Sequence, residues 1–455
     1  MWKINTEIKE IKHKINIENI IHAIDKFDGT FLFTSDSKSF NNDLNIVGLN
    51  PVIKIKDNEL TINSVKQKVK VLELIDDILN KNENTNLNTP VLLGYIGYDY
   101  KDEIEEKGLF KGLKKDIFPD LYFAIFEYYI LFNTGTKNKC TIVKLDFPFT
   151  YDKININDVF NNSKLINVTN KKTYYKGTNL SKELYTNLVS KIKDYIKAGD
   201  IYQTNLTREI NGYTEYSAIE IAWELYKSNI IEFGVISKIN GNYLISTSPE
   251  RFFQIINNKI LTSPIKGTIQ KTKYEQKNIL QKNSLLKSTK DIAELAMIID
   301  LLRNDIGKIC KYNSINVKDF PILKELDNVY HLVADIEGEL ETRSFQDIIR
   351  AVFPGGSISG CPKIRACQII EELEGQGRGP YTGSFGYICF NRNMDFNILI
   401  RTLFYNNNNI SFNVGGGITL LSEPLMEYEE TIHKAKNIYE AINMEEVDEE
   451  RYCIE

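Results

Sequence analysis

The chain of 455 residues is poor in the side chains that bind transition metals, with only six cysteines and four histidines. No two cysteines form a C-x-x-C pair, and no H-E-x-x-H motif is present. These absences argue against a zinc site and against dithiol redox chemistry. Any metal is therefore expected to be bound by carboxylates, which favours a hard ion such as Mg²⁺.

The sequence also lacks a basic excess and a long apolar run. Its formal net charge is −5 and its pI is about 5.7, whereas a nucleic-acid surface needs clustered positive charge. The most apolar segment, residues 121–132, is too short to span a bilayer and contains Glu127. The N-terminus has no apolar core of signal-peptide length. We therefore predict a cytoplasmic protein without a nucleic-acid or membrane partner.

Strand-like runs stand beside helical runs along the chain. Alternating apolar residues predict strands at "IYQTNLTREI", "NYLISTS", "SFGYICF", "NILIRTLFY" and "ISFNVGG". Periodic patterns predict helices at "KELYTNLVSKIKDYIKAGD", which ends at Gly199, and at "SEPLMEYEETIHKAKNIYEAI". A lysine- and asparagine-rich segment near residues 150–179 predicts a surface connection. The arrangement favours an α/β or α+β sheet protein over a strictly alternating barrel.

A single lysine lies in a constrained position in "SPIKGT", residues 263–268. Pro264 fixes the backbone on one side of Lys266, and Gly267 permits a turn or a close approach on the other. A solvated turn is the ordinary interpretation of this pattern. The alternative is a lysine held for chemistry, and the other motifs must decide between the two.

Glu294 lies in a helical pattern, "DIAELAMIIDLLRND", whose apolar residues cover most of the circumference. This distribution predicts a buried helix. A buried carboxylate needs a cation, a metal or a proton, so Glu294 is a candidate metal ligand. A salt bridge, for example to Arg303, is the alternative.

Other candidate residues lie nearer the C-terminus. Glu427, Glu430 and Lys434 share one helical face, which is either a salt-bridged surface or part of a site. Arg401 is predicted on a strand among apolar residues, where a guanidinium needs a carboxylate partner. His331 is a lone strand histidine. The three glycines of "VGGGIT" either form a bulge or expose backbone amides to an anionic ligand.

In their order along the chain, these motifs resemble the chorismate-binding enzymes, the family of anthranilate, isochorismate and aminodeoxychorismate synthases. The similar motifs cover about residues 181–442 and include "GDIYQTNLTRE", "TSPERFF", "SPIKGT", "HLVADIEGEL", "FPGGSISGCPKIRA", "VGGGIT" and "EYEET". The resemblance implies the anthranilate synthase component I-like fold, an α/β (α+β) unit with two antiparallel sheets packed face to face and helices outside. It also implies that residues 1–150 contribute strands to this unit, that 151–180 form a connection, and that 181–445 form the chorismate-binding catalytic domain.

Two positions distinguish the members of this family. Isochorismate-forming members carry a water-activating lysine at the position of Gln203, and anthranilate synthases carry alanine at the position of Lys266. The P-I-K-G-T sequence is similar to that of the aminodeoxychorismate-forming members, which serve p-aminobenzoate and folate synthesis. Anthranilate synthase component I and a non-catalytic chorismate-binding subunit remain as alternatives.

The resemblance also implies roles for individual residues. Lys266 would add to ring C2 of chorismate, Glu250 would protonate the departing 4-hydroxyl, and His331 would orient the substrate. Ammonia would then enter at C4. Mg²⁺ would be held by Glu294 and Glu430, with Glu427 supporting it through water. The implied substrate-binding residues are Arg401, Gly415, Gly416, Gly417, Gln203, Ser359, Tyr381 and Thr268.

The source of ammonia is expected to be a second protein. No cysteine of this chain lies in a G-x-C-x-G sequence, so the nucleophile of a glutamine amidotransferase is absent. The resemblance therefore implies a separate glutamine amidotransferase subunit as partner.

Overall fold

The computed structural model describes residues 2–13, 15–34, 44–133, 139–161, 165–169, 171–228, 231–325 and 329–445. Within these ranges the strands are β1 Asn5–Ile11, β2 Thr30–Phe33, β3 Leu44–Lys56, β4 Glu59–Ile62, β5 Val65–Lys68, β6 Pro90–Ile96, β7 Leu121–Asn133, β8 Cys140–Asp146, β9 Thr173–Thr178, β10 Gln203–Thr214, β11 Phe233–Ile239, β12 Asn242–Ser248, β13 Arg251–Ile256, β14 Lys259–Thr262, β15 Ile265–Gln270, β16 Asn316–Glu325, β17 Val329–Glu339, β18 Gly360–Cys361, β19 Ser384–Cys389, β20 Met394–Asn397, β21 Thr402–Asn406 and β22 Asn409–Ile418.

The helices in the same ranges are α1 Ile17–Lys26, α2 Val71–Asn82, α3 Lys101–Ile104, α4 Asn157–Asn161, α5 Lys182–Ala198, α6 Ala218–Ser228, α7 Glu275–Leu286, α8 Thr289–Gly307, α9 Phe345–Val352, α10 Lys363–Glu374 and α11 Pro424–Ala441. Short 3₁₀ turns occupy Tyr98–Tyr100 and Gly356–Ile358. None of the described helices is long and apolar enough to cross a membrane.

All pairings between the described strands are antiparallel, as the family resemblance implies for this α/β (α+β) class. The pairings join all described strands into one continuous hydrogen-bonded network, whereas the family resemblance implies two sheets. Strand β2 pairs with β11, and β6 pairs with β19. Strands from the first 150 residues therefore lie in the same sheet as strands from the rest of the chain. The segment predicted as a connection contains the short helix α4 and strand β9, which pairs with β10.

The helix boundaries follow from local capping. Helix α5 begins after Ser181, whose hydroxyl accepts a hydrogen bond from the Leu184 N–H, and it ends at Gly199 with a left-handed φ of 84°. Helix α8 begins after Ser288, which caps the N–H of Asp291 in the same way. The end of α5 at Gly199 confirms the sequence prediction.

The prediction that α8 is a buried helix is wrong in part. Leu295, Ile298 and Leu302 are buried, but Ala293 and Ala296 are exposed. The helix is therefore amphipathic, with one side in the larger apolar core, where it packs against β15, β17 and α9. A second core packs α1, α6 and α11 against other parts of the sheet.

Candidate functional site

Lys266 lies at a bulge in strand β15. Its pairing with β17 shifts register between Lys266 and Thr268, and Gly267 at the shift has a left-handed φ of 64°. A Cβ atom at Gly267 would lie 2.9 Å from Leu285 Cδ1 and 3.0 Å from Asp291 Cγ. Glycine is therefore required both by the backbone angle and by the close approach of α7 and α8.

The environment of Lys266 makes its ammonium group lose a proton more readily than that of an ordinary lysine. Burial lowers the pKa of Lys266, although the carboxylates of Glu250 and Glu294 act in the opposite direction. A half-buried lysine near two acids is not the solvated turn that the short motif alone suggests. The side chain faces the site.

The glycines of strand β22 lie close to side chains that come from several different elements of the candidate site. A Cβ atom on Gly417 would lie 2.7 Å from Gln203 Nε2 and 3.7 Å from Lys266 Nζ. On Gly416 it would lie 3.3 Å from Glu430 Oε1, 3.5 Å from Glu427 Oε2 and 3.6 Å from Lys434 Nζ. Gly415 packs against backbone, because its Cβ would lie 2.2 Å from the Leu206 carbonyl oxygen. The glycines thus leave room for side chains that come from β10, β15 and α11.

Gln203 is the first residue of β10 and is only 2% exposed. Its side-chain oxygen, Oε1, has no hydrogen-bond partner among the described residues. A buried amide oxygen without a partner is costly, so it is available to a bound ligand.

Glu250 lies in the turn between β12 and β13 and is buried. Burial raises the pKa of its carboxyl group, while a hydrogen bond with Ser357 and the charges of Lys266 and Lys434 lower it. The net shift is upward, so Glu250 holds a proton more readily than an ordinary glutamate. Ser357 is a functional candidate that the sequence prediction missed, since nothing in "PGGSISG" links it to a glutamate a hundred residues away.

The three predicted metal-binding glutamates lie on α8 and α11. Burial raises the pKa of Glu294 and of Glu427, and each is raised further by a neighbouring acid. Burial acts in the same direction on Glu430, but the cation of Lys434 at 2.6 Å outweighs it and the pKa of Glu430 is lowered. No group of three or more His, Cys, Asp or Glu side chains in the described part of the chain forms a preassembled metal site.

These carboxylates nevertheless suit a hard divalent ion that keeps several waters. Mg²⁺ commonly binds proteins through one or two carboxylates and completes its shell with water and substrate. Each of two acids has a lysine as neighbour, since Lys290 lies 4.0 Å from Glu294 and Lys434 lies 2.6 Å from Glu430. Lys434 also donates a hydrogen bond to the Gly415 carbonyl at 2.8 Å. The helical spacing correctly placed Lys434 beside Glu430 but did not assign it a role in the site.

His331 and Arg401 lie at another side of the site. His331 stands opposite Thr268 in the β15–β17 ladder and hydrogen bonds to the Gly267 backbone. Burial and the positive charges of Arg401 and Lys324 lower the pKa of His331 to about 4, so it is neutral near pH 7. The side chain of Thr268 lies outside the described residues.

The strand placement predicted for Arg401 is wrong. The residue lies just before β21 and has a left-handed φ of 49°. Strand β20 pairs with β13, whereas β21 pairs with β12. The chain therefore turns at Arg401 to pass from one pairing partner to the other. Burial lowers the pKa of the Arg401 guanidinium, with Glu232 acting in the opposite direction.

The last two predicted substrate contacts are buried. The Ser359 hydroxyl donates a hydrogen bond to the Gly355 carbonyl at 2.8 Å. The backbone carbonyl of Ser359 accepts a hydrogen bond from the Asn205 N–H. Burial raises the pKa of Tyr381, whose charged neighbours are Arg378 and Glu374 and not the group around Lys266.

The sequence profile described as chorismate binding enzyme matches residues 29–440. The chain belongs to this family. It is 32% identical over 414 residues to anthranilate synthase component 1 of Lactococcus lactis subsp. lactis, covering 86% of this chain and 90% of that protein. It is 38% identical over 262 residues to aminodeoxychorismate synthase component 1 of Escherichia coli, covering 57% of this chain and 58% of that protein. The crystal structure of anthranilate synthase component I from Streptococcus pneumoniae matches with a TM-score of 0.72 and 25% identity, covering 89% and 93% of the two chains. The relatives of this chain are thus named for two different activities, anthranilate synthase and aminodeoxychorismate synthase.

Proposed function

We propose that this chain is the chorismate-aminating component of an aminodeoxychorismate synthase. The observation that carries the proposal is the position of Lys266, whose amine lies at Gly417 beside Gln203 and within the electrostatic field of Glu250. In anthranilate synthases the resemblance predicts alanine at this position, which would leave the space open. The Escherichia coli relative supports the same assignment.

Lys266 would act first as a nucleophile. A free lysine has a pKa of about 10.4, so only roughly one in 2,500 is neutral at pH 7, a bias of about 4–5 kcal/mol. The burial that lowers the pKa of Lys266 reduces this bias. Its nitrogen forms a bond to C2, and the 4-hydroxyl leaves with the electron pair of its C–O bond. Glu250 supplies the proton that makes the departing group water.

Ammonia then bonds to C4, and the electron pair of the C2–nitrogen bond returns to Lys266 as a neutral amine. The Glu250 carboxylate takes the proton that the new C4 ammonium group releases. Chorismate and ammonia thus give 4-amino-4-deoxychorismate and water, and both residues regain their starting states. Since Gln203 is not a base, water is not activated at the position where isochorismate-forming members do so.

The other residues would bind and orient the substrate. Arg401 and the backbone amides of the β22 glycines would hold one carboxylate, and neutral His331 would orient the ring. Mg²⁺, held by Glu294 and Glu430 with Glu427 behind them, would supply positive charge for the ring carboxylate. A glutamine amidotransferase subunit would deliver ammonia.

A second candidate function is anthranilate synthesis. The Lactococcus lactis relative favours it, because the match covers 90% of that protein. The products separate the two candidates. The chain is incubated with chorismate, Mg²⁺ and an ammonium salt, and anthranilate is detected by its fluorescence. Aminodeoxychorismate is detected by its conversion to p-aminobenzoate with a lyase.

The nucleophile is tested without ammonia. Chorismate and Mg²⁺ are mixed with the protein, the reaction is quenched, and peptides are mapped by mass spectrometry. We expect an adduct on Lys266 that is absent from Lys266→Ala, together with loss of aminodeoxychorismate formation in that variant. Wild-type rates in Lys266→Ala would show that the proposed chemistry is wrong.

A further inference from the structure

Lys434 links helix α11 to strand β22 at the position where the candidate metal ligands lie. Its ammonium group lies 2.6 Å from Glu430 Oε1, one turn earlier on the helix, and donates a hydrogen bond to the Gly415 carbonyl at 2.8 Å. A Cβ atom on Gly416 would lie 3.3 Å from Glu430 Oε1 and 3.6 Å from Lys434 Nζ. The ion pair therefore occupies the space that this glycine leaves beside the strand.

The same Glu430 carboxylate is a predicted ligand of Mg²⁺, and the two cations interfere with each other there. An oxygen that binds Mg²⁺ lies about 2.0–2.1 Å from the ion. With the ammonium group still 2.6 Å from that oxygen, the nitrogen and the metal would be roughly 4 Å apart, where like charges repel. A metal ion on this carboxylate therefore displaces the ammonium group or binds weakly beside it.

The displaced ammonium group has a second partner within reach. Its hydrogen bond to the Gly415 carbonyl holds it beside the β22 glycines. The proposed function places a carboxylate of chorismate at those glycines. A lysine anchored at Gly415 can therefore leave Glu430 and pair with the substrate, so that its charge keeps a partner.

We propose that Lys434 competes with Mg²⁺ for Glu430 and passes to a carboxylate of the substrate when the metal binds. This inference rests on the proposed function, which assigns Mg²⁺ to Glu294 and Glu430. The exchange makes metal and substrate binding interdependent, because Mg²⁺ alone must remove the lysine from its partner, whereas bound chorismate offers the lysine a replacement. Each ligand then strengthens the binding of the other by the same factor.

The exchange differs from a structural role of the ion pair. The side chains of Lys434 and Glu430 are 42% and 50% exposed, and an ion pair so open to solvent contributes little to stability. The same helix carries a second lysine–glutamate pair at the same spacing, Lys436 and Glu440, which are 3.8 Å apart and 68% and 64% exposed. This second pair is a matched control, because neither of its residues is assigned to the site.

The first test measures Mg²⁺ binding by calorimetry without chorismate. Lys434→Met removes the competing charge, so we expect the Kd for Mg²⁺ to fall by about threefold to tenfold. Lys434→Arg keeps the positive charge, and Lys436→Met changes an unrelated pair, so both should stay within about twofold of wild type. The urea unfolding midpoint gives an independent measurement, because a tighter ligand stabilises the folded state more. Mg²⁺ should therefore raise this midpoint further in Lys434→Met than in wild type.

A second measurement tests the transfer of the lysine to the substrate. In a Lys266→Ala background chorismate cannot form the lysine adduct, and the Kd for Mg²⁺ is measured with and without chorismate. The ratio of the two values gives the coupling between metal and substrate. We expect Lys434→Met to lower this ratio by at least about threefold, and Lys436→Met to leave it unchanged.

The outcomes separate this inference from the proposed function. An equal or weaker affinity for Mg²⁺ in folded Lys434→Met, or an unchanged coupling ratio, overturns the exchange. Lys434→Gln keeps a hydrogen-bond donor for the Gly415 carbonyl without the charge, and it replaces Lys434→Met if that variant does not fold. Failure of the wild-type chain to bind Mg²⁺ with chorismate present instead overturns the metal assignment of the proposed function.

Discussion

Lys266 and Gln203 meet at a single glycine of strand β22. A Cβ atom on Gly417 would lie 3.7 Å from Lys266 Nζ and 2.7 Å from Gln203 Nε2. The two positions at which members of this family differ in chemistry are therefore neighbours in space, although 63 residues separate them in sequence. The absent side chain at Gly417 leaves space between the Lys266 amine and the Gln203 amide.

Replacing this glycine tests the arrangement. The φ of Gly417 is not in the left-handed region, so Gly417→Ala places no demand on the backbone but displaces the Gln203 amide. We expect the rate of adduct formation to fall by about tenfold to a hundredfold, since misplacement by about 1 Å can cost that much. The urea unfolding midpoint should stay near that of wild type. Gly415→Ala should give the reverse, loss of stability, because its Cβ would clash with the Leu206 carbonyl oxygen.

The pH dependence of Lys266 labelling should show its altered acidity. Only the free amine reacts with an acylating reagent, so the labelling rate rises with pH and levels off above the pKa. Because burial lowers the pKa of Lys266, the midpoint should lie below the ordinary value of 10.5. Glu250 raises this pKa, so Glu250→Gln should move the midpoint to still lower pH. Peptide mass spectrometry measures both curves, and a midpoint at or above 10.5 would contradict the description of the site.

The same variant should be nearly inactive. Loss of a general acid typically costs about 10²–10⁴ in rate. Glu250→Gln should therefore label faster at neutral pH yet form the chorismate adduct more slowly. If both rates rise together, Glu250 is not the proton donor.

Activity should require Mg²⁺ bound by Glu294 and Glu430. Glu294→Gln and Glu430→Gln should each abolish turnover and weaken Mg²⁺ binding, measured by calorimetry with chorismate present, without changing the urea midpoint. Glu429→Gln is a suitable control, because Glu429 is an exposed neighbour on the same helix. Full activity in excess chelator would exclude this assignment.

The isolated chain should use ammonium salts but not glutamine. No G-x-C-x-G cysteine is present to attack the glutamine amide. Product formation with each nitrogen source is measured on protein freed of contaminating glutaminases. Turnover that depends on glutamine would reveal a nucleophile elsewhere in the chain.

Stability should depend strongly on the buried pair of Arg378 and Glu374, which lie 2.7 Å apart. Arg378→Met leaves the buried Glu374 carboxylate without its cation, and we expect a loss of about 3–5 kcal/mol in urea unfolding. Lys191→Ala removes the exposed ion pair with Glu372 and should cost less than about 1 kcal/mol. Similar losses for the two variants would contradict the role of burial.

Local features of this fold could be read from the sequence where a short pattern determines them. The end of α5 at Gly199 was predicted correctly because a glycine stop acts within a few residues. Arg401 was misplaced because its apolar neighbours mimic a continuous strand, whereas the turn there depends on which distant strands pair with β20 and β21.

The same limit applies to the candidate site. The resemblance pointed to Lys266, Glu250 and the α11 glutamates, but it did not indicate that Ser357 donates to Glu250 or that Lys434 bonds to β22. Those contacts join residues far apart in sequence, so no local period or motif encodes them. Helix α8 was misjudged for a related reason: its apolar residues were counted without knowing that Ala293 and Ala296 are exposed in the fold.

The pairing of β6 with β19 has a consequence for synthesis on the ribosome. The partner of β6 is translated ~290 residues later, which at about 5–20 residues per second means a delay of roughly 15–60 s. During that time the apolar strand Pro90–Ile96, every residue of which is buried in the finished fold, lacks one of its neighbours. Nascent chains of this protein should therefore depend on chaperones that shield exposed strands until residues 384–389 have emerged.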